Sequence, residues 1–69
     1  MGDKEILREA SRLNLAIEAG ACYEIESLLC PGTWVSVERF RVRKGNLQAQ
    51  SSRTGRWLGT SLSRVRCHT

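Results

Sequence analysis

The apolar residues Ile6, Ala10, Leu13 and Ile17 recur at spacings of four, three and four, with Leu7 beside them. Such spacing lays one stripe along an α-helix and predicts a helix over Asp3 to Glu18. Asp3 suits the N-cap, and acids at positions 3 and 5 suit the positive end of the helix dipole. Continued through Gly20 at about 100° per residue, the helix would turn Glu24 into the middle of the apolar stripe. The pattern therefore predicts a stop at Ala19-Gly20, with glycine as the left-handed cap. A second set at helical spacing, Cys22, Ile25, Leu28 and Leu29, predicts a short second helix ahead of Pro31-Gly32. Tyr23 and Ile25 also fit the alternation of a first strand, and short segments support both readings.

After Gly32 the texture changes to β-branched residues, arginines and glycine punctuation. Trp34-Val35-Ser36-Val37 and Phe40-Arg41-Val42-Arg43 alternate at period two, but the valines of the first are odd while Phe40 and Val42 are even. A bulge or bend at Glu38-Arg39 reconciles the two parities. Lys44-Gly45-Asn46 is a tight-turn signal leading into Leu47 and Ala49 as inward residues of the next strand. Ser51 to Gly55 reads as a polar loop, the most mobile or ligand-contacting stretch; Trp57-Leu58, Leu62 and Val65 follow it.

These elements predict an α+β fold. One N-terminal helix, or two broken at Gly20, packs on a C-terminal antiparallel meander of three or four short strands. The sequence forms a single domain, 1–69, with a helical part at 3–30 and a β part at 32–67. The glycine-punctuated order from Gly32 onward is compatible with an SH3-like small barrel, an analogy of architecture that carries no activity with it.

Composition adds constraints. A chain of 69 residues with 41% hydrophobic content is folded but near the lower size limit for an independent core, so a homodimer is expected. Leu15 and Ala19 lie on the far side of the first helix from its apolar stripe and are the predicted dimer contact. Only four aromatics are present, so Trp34 and Trp57 are expected in the core. No apolar run is long enough to span a membrane, and the N-terminal pattern lacks a signal-peptide core; a cytoplasmic protein is expected. The three cysteines, Cys22, Cys30 and Cys67, lack framework spacing and read as reduced thiols, Cys22 and Cys30 as small hydrophobes.

Charge is the most informative property. The first 31 residues carry six acids against three basic residues, whereas the last 38 carry eight basic residues against Glu38 alone, so a net charge of +4 divides into −3 and +7. The basic set is Arg39, Arg41, Arg43, Lys44, Arg53, Arg56, Arg64 and Arg66. Arg39, Arg41 and Arg43 at period two form a row spaced by roughly 6.5 to 7 Å, close to the axial advance of two nucleotides on one strand. The bend at Glu38-Arg39 makes Arg41 and Arg43 the safer pair. Asn46, Gln48 and Gln50 share a parity on the neighbouring strand, and amide side chains can read base edges. Trp57, if it stays exposed, can stack on a base or lie beneath an arginine.

Catalytic chemistry has little to stand on. His68 is the only histidine and sits next to the C-terminus, and helix carboxylates are usually a solvated face. Cys22, Cys30, Cys67 and His68 lack the paired-cysteine spacing of a zinc site. Gly55 to Ser61 lacks the lysine and the length of a phosphate loop. The chain is therefore expected to be neither an enzyme nor the holder of a metal or cofactor. Two functions fit: a nucleic-acid-binding protein, as a dimeric regulator, contacting DNA or RNA through a basic β-sheet face; or a small inhibitor or adaptor, of the kind found in mobile elements and phages, docking that face on an acidic surface of a protein or nucleoprotein complex.

Overall fold

The computed structural model describes residues 3–68. Helix α1 (Asp3–Glu18) precedes strands β1 (Tyr23–Glu26), β2 (Trp34–Arg43), β3 (Asn46–Ser51), β4 (Trp57–Thr60) and β5 (Val65–Cys67), with a 3-10 turn over Leu62–Arg64. The strands form one antiparallel sheet in the order β4-β3-β2-β1-β5. The fold is α+β as expected, with four strands after Gly32 and a fifth, β1, ahead of it. The sheet does not close as a barrel would, because β4 and β5 are its two edges.

The apolar stripe of α1 lies on the sheet. Ala10 and Leu13 are buried with Ile25, Val37, Phe40, Leu47 and Ala49, and Ile6 and Ile17 pack against that cluster. Tyr23 meets Phe40 edge to face, ring centroids 6.1 Å apart. The helix ends where predicted. Gly20 has φ 108°, its N–H donates to the Ile17 carbonyl, and the Ala21 N–H reaches back to Ala16 at 2.9 Å. This paired back-bonding satisfies the last carbonyls and turns the chain out of the helix. Asp3 is already helical and places its carboxylate in the first turn together with Glu5.

No second helix follows, so the helical part ends at Glu18 rather than near residue 30. Tyr23 and Ile25 point inward, while Glu24 and Glu26 pair with Ser36 and Trp34 on the outer face. The helical set Cys22, Ile25, Leu28, Leu29 misled because two of its members stay outside: Leu28 is 59% and Leu29 92% exposed. Pairing on both flanks, with β2 and with β5, decides the state of so short a segment over its local pattern.

In β2 the register passes from Val37 opposite Ser51 to Arg39 opposite Gln50, leaving Glu38 as the extra residue of a bulge. This reverses the inward parity, and Val37 and Phe40 are both buried. Lys44 (φ 52°) and Gly45 (φ 76°) make the two-residue turn into β3. Beyond Val37 β1 no longer flanks β2, and α1 takes over that edge. The Asn14 side chain accepts from the Phe40 N–H at 2.8 Å and donates to the Phe40 carbonyl at 2.9 Å, replacing one rung of the ladder.

Candidate nucleic-acid interface

Register places the candidate residues in tiers on the sheet face opposite α1. At the β2–β3 turn, Arg43 faces Asn46 beside Lys44; the middle tier runs Arg41, Gln48, Gly59; the next runs Arg39, Gln50, Trp57. The bulge absorbs Glu38, so Arg39 keeps its place in the row with Arg41 and Arg43. Past this tier lies the β3–β4 loop with Arg53 and Arg56, both exposed. Six of the eight basic residues are thus gathered along β2, β3 and their two turns.

Both tryptophans belong to this outer face, not to the core. Each is half-buried beneath a guanidinium: Arg41 lies 4.0 Å above the Trp57 ring and Arg66 3.8 Å above Trp34. The core fills without them through Phe40, Tyr23 and the aliphatic cluster. Arg41 is further held by its Nε–H, which donates to Gln48 Oε1 at 2.7 Å. An arginine stacked and hydrogen-bonded in this way loses little freedom on meeting an anion.

Arg64 and Arg66 are differently placed. Arg66 Nε donates to Glu24 at 3.0 Å, His68 Nδ1 lies 3.4 Å from the same carboxylate oxygen, and Arg64 sits 3.7 Å from Glu26. The acids that the sequence pattern assigned to a helix are outer-face partners of β5. One end of the face is therefore internally neutralised, and the positive excess belongs to the β2–β3–β4 end. Among the described residues, Arg39, Arg41, Arg43, Lys44, Arg53 and Arg56 make no ion pair with a carboxylate. Arg12, on α1, pairs with Glu9, and that hydrogen-bonded carboxylate raises its pKa.

The loop after β3 is tied down rather than loose. Ser51, 2% exposed, accepts at its Oγ from the N–H groups of Arg53 and Thr54, both at 3.3 Å, and the Gly55 N–H returns to its carbonyl. Gln50 Nε2 donates to the Gly55 carbonyl at 3.0 Å. Arg53 and Arg56 are consequently carried on a fixed turn.

The remaining sequence-derived candidates fall elsewhere. Leu15 is 66% exposed on the solvent side of α1, and Ala19 is exposed in the turn after it. Cys22, Cys30 and Cys67 are all exposed free thiols, so Cys22 and Cys30 do not serve as core hydrophobes. No described helix is long and apolar enough to cross a membrane. Sequence reasoning missed Asn14; its signal was an asparagine in mid-helix, where propensity disfavours it. Comparison with protein-family models, curated proteins and solved structures finds no match for this chain.

Proposed function

We propose that the protein binds nucleic acid through the outer face of β2, β3 and β4, acting in the cytoplasm as a small, dimeric regulator. The observation that carries this reading is the set of basic residues without carboxylate partners on one face, interleaved with Asn46, Gln48 and Gln50 and with an arginine-capped tryptophan. Guanidinium groups at strand spacing suit a phosphate backbone, and the amides between them suit base edges. The pairing of Arg64 and Arg66 with Glu26 and Glu24 supports a role for those two arginines in tying β5 and the turn before it to β1.

The test is oligonucleotide affinity measured by fluorescence anisotropy over a range of salt. Binding should weaken steeply with salt, and Arg39→Ala with Arg43→Ala should reduce the log–log slope by roughly 0.7–0.9 per arginine removed. Absence of binding to both DNA and RNA, with a single acidic protein recovered by nuclease-treated pull-down, would replace this reading with the inhibitor or adaptor one.

A further inference from the structure

Proteins that hold single strands lay the bases on aromatic side chains, whose rings take up the flat faces that unpairing exposes. This chain has four aromatic residues, and none offers a bare ring on the basic face. Phe40 is buried in the core and Tyr23 packs against it. Trp57 is on the face, but the Arg41 guanidinium lies 4.0 Å from its ring centroid, where a base would stack. Trp34, at the β5 end, is covered in the same way by Arg66 at 3.8 Å. Neither arginine is loosely placed. Arg41 Nε donates to Gln48 at 2.7 Å and Arg66 Nε to Glu24 at 3.0 Å, so uncovering either ring breaks a hydrogen bond as well as a cation–π contact.

The amides are partly engaged too. Gln48 Oε1 is taken by Arg41 and Gln50 Nε2 by the Gly55 carbonyl. Each keeps one end, enough for a single contact at a groove edge but not for a paired grip on an unstacked base. What remains on the face is charge at fixed positions. Arg39, Arg41 and Arg43 repeat at roughly 6.5 to 7 Å along one strand, and Ser51 holds the turn that carries Arg53 and Arg56. A rigid row suits a rigid array. Double-stranded DNA holds its phosphates at about 3.4 Å of axial rise per strand and keeps its bases stacked on one another. An unpaired strand would have to be ordered against the same row with no ring to offset the lost freedom.

We infer that the face takes double-stranded DNA by its phosphates, and that the arginine roofs over Trp57 and Trp34 keep unpaired bases off it. This rests on the nucleic-acid reading of the face and names its substrate class.

The experiment measures anisotropy for a short labelled DNA duplex, the same duplex as RNA, and oligo(dT) of equal length. Tryptophan emission is recorded alongside, with thermal melts to confirm folding of each variant. The wild-type protein should favour duplex DNA over oligo(dT) by about fivefold or more, the low end of what one base stacked on an aromatic ring is worth, and oligo(dT) should not quench its emission. Arg41→Met removes one cation for every probe but bares Trp57, so it should move the ratio about fivefold or more toward oligo(dT), with quenching. Adding Trp57→Leu should cancel that gain. A wild-type protein that binds oligo(dT) as tightly as the duplex, or duplex RNA more tightly than duplex DNA, would overturn the inference and leave the nucleic-acid reading standing. A folded Arg41→Met protein that keeps the wild-type ratio would do the same, and the wild-type comparison decides even if that variant does not fold. If no probe is bound, both readings fall together.

Discussion

Replacing Asn14 by alanine removes the one side chain that completes the β2 edge. Past Val37, β2 has β3 on one flank and only α1 on the other, and the Asn14 amide presents to Phe40 the same donor and acceptor pair that a peptide group would. Alanine leaves the Phe40 N–H and carbonyl unpaired, next to a side chain that is 2% exposed. An unsatisfied backbone group costs about 1–3 kcal/mol when fully buried. Asn14 is only half-buried, so some water reaches these groups, and about 1 kcal/mol for each gives about 2 kcal/mol in total. Stabilities of roughly 0.05–0.15 kcal/mol per residue imply a reserve on the order of 3–10 kcal/mol for so short a chain, so the loss is a large share of it. In urea the midpoint should fall by about 2 M at a slope of about 1 kcal/mol/M, and the melting temperature by about 8–16 °C. Asn14→Asp keeps an acceptor for the N–H but sets a carboxylate oxygen against the carbonyl, and should be no more stable than Asn14→Ala at neutral pH. Ser11→Ala, at an exposed position of the same helix, is the control and should stay within about 0.5 kcal/mol of wild type. An Asn14→Ala protein as stable as that control would refute the reasoning, because it would mean that solvent satisfies the Phe40 backbone as well as the amide does.

Two further outcomes follow from the surface. Glu24→Gln removes the carboxylate that holds Arg66 and lies near His68; it should cost about 1 kcal/mol in denaturant unfolding and tighten oligonucleotide binding at low salt, whereas Glu18→Gln, an equal change in charge on α1, should not tighten it. Leu15→Glu places a charge on the solvent side of α1, and sedimentation across protein concentrations should show weakened self-association; unchanged association would remove that helix face from the dimer contact.

The parts of the fold that the sequence pattern made legible are those where local periodicity and burial agree. The α1 stripe, the Gly20 stop, the parity break at Glu38-Arg39 and the Lys44-Gly45 turn are each encoded within a few residues. Residues 21–29 fit both a helix and a strand because their state depends on β2 and β5, and Leu28 and Leu29 are apolar without being buried. The same non-local pairing hid the roles of Glu24 and Glu26. Of the candidate site, Arg41, Arg43 and the amides facing them follow from parity alone, whereas the place of Arg39 in the row depends on the bulge falling at Glu38. The tryptophans did not, because size suggested burial, whereas a guanidinium roof and a half-buried seat satisfied them.

The pairing of β1 with β5 also bears on how the chain folds in time. The β2–β3 hairpin closes through a two-residue turn, but Arg66 and Glu24 are 42 residues apart in the chain. Local closures come early, and distant ones wait until the intervening loop has been shortened by other structure. β1 therefore has one neighbour until the last strand arrives, and in that interval its free flank is a template for the same strand of another molecule. The Glu24–Arg66 and Glu26–Arg64 pairs favour the correct arrival, so their loss should show as aggregation during refolding in addition to the loss of stability.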